Sequence, residues 1–209
     1  MTRVQVKICG LNAEAAFDAA VDAGADWVGF VFFPPSPRFV TPDRAAALSA
    51  RRPGGPARVG LFVDPTEAAI ADVLAKVQLD VLQVYGGVDP AALRVRFGRK
   101  VWRAVGVSSE ADLPRDLGGA NALLLDAKPP KAATRPGGNA SPFDWGIMRA
   151  WIAPGPWLLA GGLTVANVAE AIRVTRAPAV DVSSGVESAP GVKDPALIRA
   201  FIEQARQAV

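Results

Sequence analysis

The 209-residue chain contains no histidine. A Ser-His-Asp or Cys-His nucleophile system is therefore excluded, and so is any metal site built on imidazole. A single cysteine excludes an intramolecular disulfide and a cysteine-rich metal cluster. An unpaired thiol fits a reducing compartment better than an oxidising one. There is one tyrosine, and no block of basic residues interleaved with aromatics. With 23 basic and 20 acidic residues interspersed, nothing points to nucleic acid. The longest uncharged stretch, residues 150–169, is broken by Pro154, Gly155, Pro156, Gly161 and Gly162, so it is no membrane span. The N-terminal residues show no apolar signal-like region. These absences give the expectation of a cytoplasmic protein with no membrane, nucleic-acid or metal partner.

Half of the residues are apolar and 21% are charged, the composition of a globular chain, and the length suits one domain. Apolar β-like runs alternate with amphipathic helical runs. The strands are expected at residues 4–9, 27–33, 58–63, 80–85, 100–105, 122–126, 156–160 and 179–183. The intervening helices have plausible starts at Asn12, Thr41-Pro42, Asp64-Pro65, Asp89-Pro90, Thr164 and Asp194-Pro195, with a short one after Ser109 and another over residues 143–151. Alternating βα units imply a parallel sheet, and eight of them favour closure into a single-domain (β/α)8 barrel over residues 1–209 rather than an open doubly wound sheet.

In such a barrel the chemistry sits at the C-terminal ends of the strands. The first strand ends at Cys9. Side chains alternate, so Gln5, Lys7 and Cys9 share a face, and the apolar Val4, Val6 and Ile8 should meet the helices. Cys9 then points inward at the mouth, or is a buried structural thiol. Strand six ends at Asp126 after three leucines, either a carboxylate at the edge of an apolar core or a turn residue. Residues 127–142 form a long loop of the kind that serves as a lid or is merely flexible. Gly161-Gly162 after strand seven and Asp181 through Ser183-Ser184-Gly185 after strand eight read as a phosphate cradle, because glycines let backbone N–H groups approach an anion. Arg38 follows strand two and either meets a substrate carboxylate or is solvated. Gln83 shares a face with Tyr85, and Arg103 with Val105; a satisfied polar residue in the barrel interior is the plain reading of each.

Together Val6-Lys7-Ile8-Cys9-Gly10-Leu11, Ser36-Pro37-Arg38, Leu125-Asp126, Phe143-Asp144-Trp145, the run LAGGLTVANVAEAI from Leu159 and VDVSSGVESAPGVKD from Val180 resemble the phosphoribosylanthranilate isomerases of tryptophan biosynthesis. The resemblance spans essentially the whole chain. It implies an Amadori rearrangement of a phosphosugar-anthranilate, without metal or organic cofactor, by a monomer or homodimer. Carried over by position, Cys9 is the general base and Asp126 the general acid. Arg38 holds the anthranilate carboxylate, and Gly161, Gly162, Ser183, Ser184 and Gly185 hold the phosphate, with Gln83 and Asp181 as further substrate contacts. Lys7, two residues from Cys9 on the same face, is expected to lower the thiol pKa, and the leucines before Asp126 to raise that of the acid.

The chain departs from the family pattern twice. Where Gln-Leu-His-Gly is usual it has Gln83-Val84-Tyr85-Gly86, and where Gly-Gly-Thr-Gly is usual it has Gly137-Gly138-Asn139-Ala140. The first predicts adjusted packing or a changed substrate contact, the second an altered loop closure. A non-catalytic phosphate-binding barrel and another phosphosugar isomerase are the alternatives. Cys9 argues against the isomerase of histidine biosynthesis, which has an aspartate on strand one, and the missing histidines argue against metal-dependent epimerases.

Overall fold

The computed structural model describes residues 3–128 and 142–208. Eight parallel strands close into a barrel: β1 (Gln5–Cys9), β2 (Trp27–Val31), β3 (Ala57–Val63), β4 (Val81–Tyr85), β5 (Lys100–Val107), β6 (Ala122–Ala127), β7 (Trp157–Leu159) and β8 (Ala179–Val182). They pair in sequence order, and β8 closes back onto β1 with Lys7 opposite Asp181. The barrel expected from the alternating pattern is the one observed.

Alternation along each strand divides the core in two. Val59, Val81, Trp102, Leu124, Leu158, Ala160 and Ala179 fill the barrel interior. Val6, Ile8, Phe30, Leu82, Leu123, Leu125 and Val180 face outward into the layer of helices, where Phe17, Ile198 and Phe201 meet them. Burying aliphatic side chains on both faces of a parallel sheet is what makes its strands read as continuous apolar runs. Of the leucines before Asp126, only Leu124 therefore faces the interior. Arg103 also belongs to the outer face: it donates to the Asp116 carbonyl at 3.0 Å and is no interior residue.

The helices are α1 (Glu14–Asp22), α2 (Pro42–Ala50), α3 (Glu67–Leu74), α4 (Pro90–Phe97), α5 (Val168–Thr175) and α6 (Pro195–Gln207). Three of the expected starts are built as read. Thr41, Asp89 and Asp194 each accept a first-turn backbone N–H, and proline follows in each case. Two expected caps are used elsewhere. Asn12 does not cap α1; its amide donates to the Gly191 carbonyl at 2.9 Å. Asp64 adopts a left-handed backbone, φ 41°, and accepts from Gly87 N at 3.0 Å, while Thr66 caps α3. Residues 143–151 yield only a 3-10 turn, Trp145–Met148, which Asp144 caps by accepting from Gly146 N at 2.8 Å. A second 3-10 turn, Glu110–Asp112, follows β5.

A hairpin not anticipated in the sequence, β9 (Glu187–Ala189) and β10 (Val192–Lys193), lies between β8 and α6. The Gly137-Gly138-Asn139-Ala140 departure, with most of the long loop after β6, lies outside the described residues. No described helix is long and apolar enough to cross a membrane.

Candidate active site

The inward faces of β1, β8, β6 and β4 bring a thiol, an ion pair and a carboxyl to one end of the barrel. Cys9 is the last residue of β1 and is buried. One layer deeper, Lys7 is fully buried, and its ammonium donates to Asp181 Oδ1 at 2.9 Å. Gly29 on β2 makes room for this pair, since a Cβ there would lie 3.0 Å from Cys9 Sγ and 3.1 Å from Lys7 Nζ.

Burial disfavours the charged form of Lys7, but Asp181 and the Cys9 sulfur outweigh it and hold the ammonium pKa above its ordinary value. Burial likewise pushes the Cys9 thiol up, and Lys7 pulls the other way without cancelling it. The expected Lys7 effect has the expected sign. The net shift is the opposite of the one read from the sequence, because desolvation of the thiolate is the larger contribution.

Asp126 ends the inward row Ala122, Leu124, Asp126 of β6. Burial lifts its carboxyl to about 7, against the pull of a hydrogen bond from Tyr85. That bond, from the Tyr85 hydroxyl to Asp126 Oδ2 at 2.9 Å, joins two buried groups. Burial and the neighbouring carboxylate push the phenol well above its usual range, so it remains a neutral donor. The sequence singled out Tyr85 as a departure and left this contact unforeseen.

The two glycine turns are where the sequence put them. Asp126, Gly161, Gly162, Asp181, Ser183 and Ser184 line one cavity at the mouth. Gly161 and Gly162 have φ of 83° and 63°, a conformation that costs glycine little. Asn167 fastens this turn by donating to the Gly162 carbonyl at 3.0 Å and accepting from Thr164 N at 2.7 Å. A Cβ on Gly185 would collide with the Leu163 carbonyl, so the second turn packs directly on the first. A single 3-10 turn, Ser184–Val186, follows β8. The Ser183 hydroxyl donates to the Cys9 carbonyl at 3.3 Å, and Lys193 donates to the Ser183 carbonyl at 2.8 Å.

Arg38 is neither solvated nor idle. Its stem crosses Gly10, where a Cβ would lie 2.7 Å from Arg38 Cδ. Its Nε and Nη2 donate to Glu187 at 2.6 and 2.9 Å, leaving the Nη1 edge outside the pair. Lys193 donates to the same carboxylate at 2.7 Å. Burial opposes the charge on Glu187, but Arg38 and Lys193 hold its pKa below the ordinary value. Burial draws the Lys193 ammonium down to about 8. Glu187 and Lys193 were missed because the Pro190-Gly191 turn signal between them was not read as a hairpin. Gln83, inward on β4 below Tyr85, is fully buried, and neither end of its amide has a hydrogen-bond partner among the described residues.

A wider cavity of about 740 Å³ opens at the other end of the barrel, around Trp27 and Trp102. Its lining has no buried acid, thiol or glycine turn. Among the described residues, no group of three or more His, Cys, Asp or Glu side chains is placed to hold a metal ion.

Residues 6–204 match the family described as N-(5'phosphoribosyl)anthranilate (PRA) isomerase. The N-(5'-phosphoribosyl)anthranilate isomerase of Acidiphilium cryptum is 59% identical over 98% of this chain and 99% of that protein. The crystal structure of phosphoribosyl anthranilate isomerase from Thermotoga maritima is 40% identical, with a TM-score of 0.86 over 98% of this chain and 99% of that one. A phosphoribosyl anthranilate isomerase in complex with reduced 1-(o-carboxyphenylamino)-1-deoxyribulose 5-phosphate is 38% identical, with a TM-score of 0.83 over 98% and 99%.

Proposed function

Because the chain belongs to the N-(5'-phosphoribosyl)anthranilate isomerase family, we propose that Cys9 and Asp126 are the base and the acid of its reaction. The chain isomerises N-(5-phosphoribosyl)anthranilate to 1-(2-carboxyphenylamino)-1-deoxyribulose 5-phosphate, a step of tryptophan biosynthesis. One observation carries the assignment: a buried thiol and a buried carboxyl lie at the C-terminal ends of two strands at the same mouth, flanked by two interlocked glycine turns.

The rearrangement needs one proton given and one taken. Asp126, with a pKa of about 7, keeps its proton on a large share of molecules at neutral pH. It donates that proton to the furanose ring oxygen. The C1–O bond breaks as the anthranilate nitrogen lone pair forms the C1–N double bond, and the ring opens to a protonated Schiff base. The Cys9 thiolate, formed beside the Lys7 ammonium, removes the C2 proton. The C–H electron pair becomes the C1–C2 double bond, and the iminium pair returns to nitrogen. The enolamine then gains a proton at C1 and loses its hydroxyl proton to become the ketone.

Binding follows the same assignment. The Nη1 edge of Arg38 takes the anthranilate carboxylate. The backbone of Gly161, Gly162, Ser184 and Gly185, with Ser183, takes the phosphate. Gln83 and Asp181 meet the sugar from below. The Gln83 amide supports this, since leaving both its ends unpaired in the core costs on the order of 1–3 kcal/mol per group. In this reading the protein works in the cytoplasm as a monomer or homodimer and uses no cofactor.

The test is turnover. Phosphoribosylanthranilate formed in situ from anthranilate and phosphoribosyl pyrophosphate is followed by its fluorescence. Loss of the signal on adding the protein, with appearance of the aminoketose phosphate, is expected. Binding of the product without any turnover would identify a non-catalytic barrel instead.

A further inference from the structure

We propose that Tyr85 is a positioning residue for the acid: its hydroxyl holds Oδ2 of Asp126, so that the proton to be donated resides on Oδ1. The proposal rests on Asp126 being the acid, and it assigns a task to a side chain at which this sequence departs from its family's usual histidine.

The geometry that permits the contact is specific. Tyr85 ends the inward row of β4, Asp126 ends that of β6, and β5 runs between them. The inward positions of β5 at this level are Ala104 and Gly106, and Gly106 is paired in register with Asp126. Their small size leaves a clear path, and the phenol crosses it to bond at 2.9 Å. Both partners are buried, Tyr85 with 8% and Asp126 with 6% of its surface exposed, so water does not compete freely for the bond.

A neutral carboxyl has one oxygen that carries hydrogen and one that only accepts. The phenol is a neutral donor, and donation to Oδ2 makes that oxygen the accepting one. The acidic hydrogen is thereby confined to Oδ1. The same bond stabilises the carboxylate left after donation, which opposes the effect of burial and keeps the acid strong enough to give its proton up. Tyr85 thus acts through Asp126 rather than on the substrate.

The experiment titrates Asp126 directly. Protein labelled with carbonyl-13C aspartate is followed by NMR in wild type, Tyr85→Phe and Tyr85→His, with Asp126→Asn identifying the resonance. Steady-state kinetics are measured on all four proteins. Tyr85→Phe, which removes only the hydroxyl, is expected to raise the Asp126 pKa by about one unit or more, as loss of a hydrogen bond to the charged form should. It is expected to lower kcat about tenfold with KM nearly unchanged. Tyr85→His, which retains a donor, is expected to recover part of both. An unchanged Asp126 titration in Tyr85→Phe overturns the positioning role while leaving Asp126 as the acid. Full activity of Asp126→Asn overturns the acid assignment and this proposal with it.

Discussion

Arg38 and Glu187 lie 149 residues apart and meet through two bonds of 2.6 and 2.9 Å, with side chains only 5% and 4% exposed. The guanidinium is therefore fixed in direction, and Lys193 ties the same carboxylate to Ser183 in the turn after β8. The hairpin β9–β10 thus connects Arg38 to the turn after β8.

Breaking this arrangement should be costly, because two buried cations would be left facing each other. Removing one partner of a buried ion pair typically costs about 3–5 kcal/mol. Glu187→Gln is expected to lose roughly that much stability in urea unfolding and to raise KM more than it lowers kcat. An unchanged unfolding midpoint would show that the cluster is not held together by that charge.

Asp126 gives the protein a pH-dependent cost. Its pKa is raised from the ordinary 3.8 to about 7 in the folded state. Between those values the unfolded chain has released a proton that the folded chain still holds. The stability conferred by the protonated carboxyl is full below about 3.8 and is lost as pH rises to 7, by an order of magnitude of about 4 kcal/mol. Asp126→Asn removes this dependence. Its stability relative to wild type is expected to increase from pH 4 to pH 8, and parallel stability curves would refute the shift.

Lys7 should be felt at the thiol. Because the chain has one cysteine, thiolate absorbance in the ultraviolet reports Cys9 alone. Burial raises the Cys9 pKa and Lys7 restrains the rise. Lys7→Met is therefore expected to move the absorbance titration to higher pH. A titration superimposable on wild type would remove Lys7 from the account.

Gly185→Ala should damage anion binding by forcing apart the two turns, since the added methyl would strike the Leu163 carbonyl. The inhibition constant of inorganic phosphate and the KM for substrate are expected to rise together. A rise in neither would separate the turns from phosphate recognition.

What the sequence disclosed and what it hid differ in range. The barrel was legible because each strand is an uninterrupted apolar run and three helix starts carry a side-chain cap followed by proline. Cys9, Asp126 and the glycine turns were legible because strand alternation and strand ends fix their places. The Tyr85–Asp126 and Arg38–Glu187 bonds were not, since each joins residues far apart in sequence that only the folded barrel brings together. Asp64 was misread for the same reason: Gly87, on the next loop, competes successfully for its carboxylate. The direction of the Cys9 shift depended on how deeply the thiol is buried, which spacing along β1 does not encode.

The most direct test of the account compares wild type, Cys9→Ala and Asp126→Asn in the phosphoribosylanthranilate turnover assay. Loss of a general acid or base removes about a hundredfold or more of activity. The account predicts at least that loss in each variant, with substrate binding retained. Activity near wild type in either variant would contradict the assignment of that residue.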